Sequence, residues 1–107
     1  MRRFKDKSFV RFARKAHIRD DDLLNVIAEL EAGRIDANFG GYVYKQRVAR
    51  QGGGKRGGYR VLLFFKSGER IIFYDGFAKS NLDNISDDKL LWFKEMAKYF
   101  MSLTDEQ

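Results

Sequence analysis

The chain has 107 residues, 44 % hydrophobic and 34 % charged, with a net charge of +6; that is one domain's length, apolar enough for a single core and too rich in aromatics for disorder. The absence of cysteine excludes disulfides and thiolate metal sites and fits a reducing cytoplasm. The apolar runs are too short to span a membrane, and the basic start, Met1-Arg2-Arg3-Phe4-Lys5-Asp6, lacks the apolar stretch of a signal peptide.

Residues 2–5 read as a short first strand. Asp6 is placed to cap a helix, because its carboxylate can accept from the free N–H groups of the next turn. Phe9, Phe12, Ala13 and Ala16 then recur at helical spacing, which takes the first helix to about His17. Asp20, Asp21 and Asp22 oppose the positive end of a second helix dipole. Leu23, Leu24, Ile27, Ala28 and Leu30 give that helix its apolar face, and Gly33 stops it. The two helices are expected to form a hairpin packed on a sheet.

With no proline in the chain, bends fall to Gly, Asn, Asp and Ser. Residues 38–41 are expected to be a turn. From residue 42 to 50 the chain alternates: Tyr42, Tyr44, Gln46 and Val48 share one face, and Val43, Lys45, Arg47 and Ala49 the other. Residues 51–58, with five glycines, read as a loop too long for a tight hairpin turn. Residues 59–65 are strongly β-forming, residues 66–69 a hairpin turn, and residues 70–77 the next strand, completing an antiparallel meander. Residues 81–84 read as a loop. Ser86 caps a last helix whose apolar face carries Leu90, Phe93, Ala97 and Phe100, with Met96 beside them.

Charge is unevenly spread along this frame. Residues 42–79 carry nine bases and two acids, whereas residues 80–107 carry three bases and six acids. The window from Lys45 to Arg60 alone holds six bases and no acid. Cations interleaved with tyrosines on a sheet suit a polyanion, most simply nucleic acid.

Two familiar chemistries fail on inspection. A phosphate-binding loop needs Gly, four residues, then Gly-Lys-Ser/Thr and a helix; here Ala49 stands at the first position, Gly54-Lys55 is followed by Arg56, and a strand comes next. His17, the sole histidine, has no ligand partners near it and fits a helix end better than a metal site. What is left is Lys45, Arg47, Arg60 and Lys79, with Tyr59 or Tyr74 nearby. RNA cleavage needs a base for the 2′-hydroxyl, cations for the charge growing on phosphorus, and an acid for the leaving oxygen. A lysine crowded by other cations is expected to lose its proton more readily. An arginine stays charged and grips phosphate with a fork. The same residues can equally be a cationic face that binds an acidic partner without reacting.

The chain resembles the RelE/HigB-type toxins of bacterial type II toxin–antitoxin systems over nearly its whole length. The most specific segments are Tyr44-Lys45-Gln46-Arg47-Val48-Ala49-Arg50, Gly57-Gly58-Tyr59-Arg60 and Gly76-Phe77-Ala78-Lys79-Ser80. The resemblance implies an α+β, RelE-like single domain over residues 1–107: two N-terminal helices packed on a small antiparallel sheet with a C-terminal helix. It implies a cytoplasmic, metal- and cofactor-free endoribonuclease that cleaves mRNA in the ribosomal A site of the 70S particle. The implied partner is a cognate antitoxin, a small helix-turn-helix protein. By position, Lys45 and Arg47 match the family's paired bases for proton abstraction and phosphate binding. Arg60 matches its phosphate-stabilising arginine, and Lys79 the lysine of its Gly-Lys-Arg segment. Ser80 replaces the arginine of that segment, and the family's catalytic tyrosine falls at about Ser86. That leaves the leaving-group acid unassigned, with Arg50, Lys55 and Arg56 as substitutes or RNA contacts and Tyr59 and Tyr74 as base-stacking candidates. The same fold also serves toxins that poison DNA gyrase, and a non-catalytic nucleic-acid-binding module is the reading from outside the family.

Overall fold

The computed structural model describes residues 2–50, 54–78 and 86–103. Five strands, β1 (Arg2–Lys5), β2 (Ala37–Gly40), β3 (Val43–Arg50), β4 (Gly54–Lys66) and β5 (Arg70–Ala78), form one sheet in the order β1-β5-β4-β3-β2. Three helices complete it: α1 (Lys7–Ala16), α2 (Asp20–Glu31) and α3 (Asp87–Ser102). The fold is α+β. Strands β2 to β5 are antiparallel, and β1 adds to the outer side of β5 in parallel, so the sheet is mixed.

The expected local signals set the helix ends. Asp6 accepts from the Ser8 backbone N–H, and His17 closes α1 in the left-handed conformation. The Asp22 carboxylate accepts from the Arg19 N–H at the start of α2. Gly33, at φ +82°, turns the chain away after α2. Ser86 accepts from the Lys89 N–H at the start of α3. The buried stripe of α2 is Leu23, Val26, Ile27 and Leu30, while Leu24 and Ala28 are exposed. That corrects the expected face: positions 23, 26, 27 and 30 share one side of a 3.6-residue helix, and 24 and 28 fall roughly 110° and 150° from its centre.

The sheet is buried on both faces. α1 and α2 cover one face, where Phe9, Leu23, Ile27, Val61, Leu63 and Phe73 meet. α3 covers part of the other, packing Phe93 and Ala97 on Val43, Leu62, Phe64 and Ile72. Every residue of β4 from Val61 to Phe65 is therefore buried.

Two turn expectations are corrected. Residues 38–40 belong to β2, and the turn is only Gly41 and Tyr42. Both have positive φ (58° and 69°), the pattern a two-residue hairpin requires. Tyr42 therefore lies in the turn and not in the strand that follows. The expected loop at 51–58 is also shorter, because pairing continues to Arg50↔Gly54 and residues 54–58 are strand. The glycines sit there because ladder hydrogen bonds with β3 outweigh their poor strand propensity. Residues 81–84 lie outside the described residues.

Gly76 shows how tightly α1 is seated on β5. A Cβ added there would come 2.1 Å from two ring carbons of Phe12. Gly76→Ala should therefore cost roughly 1–3 kcal/mol by overpacking. Phe12→Leu in the same chain should recover part of the loss, measured by urea denaturation.

Candidate nucleic-acid interface

The geometry of the cationic residues follows from strand register. Arg47 is paired with Arg60 across β3–β4, and Arg60 with Phe77 across β4–β5. One row over, Lys45 is paired with Leu62, and Leu62 with Asp75. Laterally paired residues point to the same face of a sheet. Leu62 lies under α3, so Lys45, Arg47 and Arg60 all lie on the α3 face, at the end that α3 leaves open. Lys45 and Arg60 are half-buried, and the side chain of Arg47 is 48 % exposed.

The remaining candidates divide. Tyr59 is paired with Val48 on the opposite face, where its ring meets the edge of Phe12 at 5.4 Å. It is thus separated from Lys45 and Arg60 by the thickness of the sheet, which corrects its expected place beside them. Tyr74 is on the α3 face but sits among Phe64, Trp92, Phe93 and Phe100. It acts as a core residue there, and burial raises its phenol pKa above the usual value of 10.0. Arg50, Lys55 and Arg56 are placed by their backbone on β3 and β4, and their side chains lie outside the described residues. Lys79 lies outside the described residues altogether.

Three further residues shape this surface. Gln46 is 1 % exposed. Its side-chain oxygen accepts from the Asp36 N–H and its amide nitrogen donates to the Arg34 carbonyl, pinning the segment before β2. So held, the Asp36 carboxylate accepts from the Arg47 backbone N–H at 2.6 Å and stands 4.0 Å from the Arg47 Nε. The third residue is Asp75. A β-bulge sets Tyr74 and Asp75 together opposite Leu62. Burial, and to a lesser degree the nearby Asp6, raises the Asp75 carboxyl pKa above 3.8, against the opposing effects of the Gly76 N–H and Lys89. A polar residue at the inward position 46 was the one sequence signal for the pinned segment. No local sequence signal marks Asp75.

Arg47 directly opposite Arg60 is a costly arrangement for the fold, since like charges at paired sheet positions repel. Among the described residues Arg60 has no carboxylate partner, and Asp36 engages Arg47 from the other side. A phosphate between the two guanidinium groups would relieve the repulsion and accept from both forks. No group of three or more His, Cys, Asp or Glu among the described residues is arranged to hold a metal ion.

Comparison with known proteins agrees with this architecture. A family model described as the RelE toxin of the RelE / RelB toxin-antitoxin system matches residues 1–107. No curated protein matches the chain.

If the two guanidinium groups strain the sheet, removing one stabilises it. Arg60→Gln should raise stability by about 0.2–1 kcal/mol in urea at low salt. Most of that gain should vanish at about 1 M salt, where the screening length falls to roughly 3 Å. Unfolding midpoints at the two salt concentrations provide the check.

Proposed function

The chain belongs to the RelE toxin family of toxin–antitoxin systems, and we propose that it is a ribosome-dependent mRNA endonuclease that works by metal-free attack of a 2′-hydroxyl on the adjacent phosphate. Family membership gives it a cognate antitoxin. The single observation that carries the chemical reading is the paired Arg47 and Arg60 with Lys45 beside them, on the part of the sheet face that α3 leaves open.

In this reading the residues divide the work by their chemistry. Lys45 takes the proton of the 2′-hydroxyl. Arg47 and Arg60 hold the phosphate and offset the charge that grows on it. The 2′-oxygen–phosphorus bond forms as the bond to the 5′-oxygen breaks, leaving a 2′,3′-cyclic phosphate and a 5′-hydroxyl. Asp75 supplies the proton for that 5′-oxygen. It lies in the same cross-strand row as Lys45 but two strands away, about 10 Å between Cα atoms. Burial shifts its carboxyl toward the protonated form, the form a donor needs. Arg50, Lys55, Arg56 and Lys79 add positive charge for the RNA backbone.

Induced expression should arrest growth and produce new mRNA 5′ ends within translated frames. Alanine at Lys45, Arg47 and Arg60 together should abolish those ends while leaving the fold intact. DNA breaks with intact mRNA would favour gyrase as the target. Salt-dependent RNA binding without product would favour a module that only binds.

Asp75→Asn tests the proton donor separately. It should slow cleavage by about 10²–10⁴-fold on a normal linkage. It should have little effect where a bridging 5′-sulfur replaces the leaving oxygen, because a thiolate departs without a proton. The variant should fold at least as stably as the parent at pH 7. Asp75 has a folded-state pKa above its unfolded value, so its penalty is present at neutral pH and disappears as the pH falls and the carboxyl is protonated.

A further inference from the structure

α3 carries one large aromatic side chain that belongs to neither core. Trp92, the sole tryptophan of the chain, is 51 % exposed. Its ring meets Tyr74 at 5.8 Å and Phe93 at 5.4 Å between centroids, tilted by 56° and 66°. Among the described residues no ring lies parallel to it, so its neighbours fix its position and leave indole surface open for stacking.

Trp92 forms a wall of an open cleft of about 500 Å³ between α3 and β5. Tyr74 and Phe93 continue the aromatic lining, and Asp75, Asp88 and Lys89 supply the polar groups. Aromatic walls with a few polar groups suit a flat ring with polar edges. Two carboxyl groups against one lysine disfavour a phosphate there. The cleft therefore fits a nucleobase and not the nucleic-acid backbone.

Strand register joins the cleft to the cationic cluster. Asp75 lies two residues before Phe77 on β5, and Phe77 is paired with Arg60. Asp75 and Arg60 are thus diagonal neighbours on the α3 face, roughly 8 Å apart. An RNA strand whose phosphate rests on Arg47 and Arg60 carries its next sugar past Asp75. Bases splayed from a single strand stack on exposed aromatic side chains.

We propose that Trp92 is the stacking platform for the base on the 3′ side of the cut. That register rests on the endonuclease reading, in which Asp75 protonates the leaving 5′-oxygen of the same nucleotide; stacking itself needs no cleavage. Because the chain has one tryptophan, its fluorescence reports on this site alone. A 2′-deoxy trinucleotide, which cannot be cut, should quench the emission of the full chain. A trimer of abasic residues with the same phosphates should not. On programmed ribosomes, Trp92→Ala should lower kcat/KM about tenfold on normal mRNA. Trp92→Phe keeps a ring and should recover most of that loss. On mRNA that is abasic just 3′ of the cut, Trp92→Ala and the parent should cleave equally, which a merely structural loss would not produce. Leu91→Ala, at an exposed neighbour outside the cleft, should leave cleavage unchanged. Equal quenching by both trimers, or an equal loss from Trp92→Ala on both mRNAs, would overturn the proposal. So would equal losses from Leu91→Ala and Trp92→Ala, which would assign this side of α3 to a protein partner. Base-dependent quenching in a chain that cuts no mRNA would uphold the stacking site and remove the endonuclease reading. Cleavage indifferent to both Trp92→Ala and the base would do the reverse.

Discussion

β4 is the floor of two cores at once. Val61, Leu63 and Phe65 face α1 and α2, while Leu62 and Phe64 face α3. Each of these side chains contributes roughly 1.5–3 kcal/mol by leaving water. A slip of one residue would turn all five to the wrong helices. The repulsion between Arg47 and Arg60 is worth at most about 1 kcal/mol. The cores therefore win, and their register sets the two guanidinium groups opposite each other just where α3 ceases to cover the strand. The cationic surface is a consequence of the packing that follows Arg60 along β4.

The same register explains why the surface is rigid. Lys45, Arg47 and Arg60 project from a ladder in which the neighbouring Gln46, Val48, Val61 and Leu62 are buried, so their backbones are fixed before any ligand arrives. Gln46 extends this order to the segment before β2. Its two hydrogen bonds occupy the Arg34 carbonyl and the Asp36 N–H, groups that would otherwise cost about 1–3 kcal/mol each if buried unpaired. Asp36 is thereby set at one border of the cluster, close enough to steady Arg47 yet exposed enough for water to screen the pair. The bulge in β5 sets Asp75 opposite Leu62, beside Lys89 and Trp92 at the start of α3.

Much of this was legible in the sequence because the signals were local. Asp6, Ser86 and Gly33 act within a few residues of the helix ends that they fix. The alternation from Tyr44 to Val48 placed Lys45 and Arg47 on one face without knowledge of the partner strand. Features that depend on a second strand were not legible. Asn38 and Gly40 carry turn chemistry, yet pairing with β3 makes them strand and leaves the turn to Gly41 and Tyr42. The glycines at 54, 57 and 58 extend β4 for the same reason. The bulge that groups Tyr74 with Asp75, and the pleat that turns Tyr59 toward Phe12, are decided only when β4 and β5 meet.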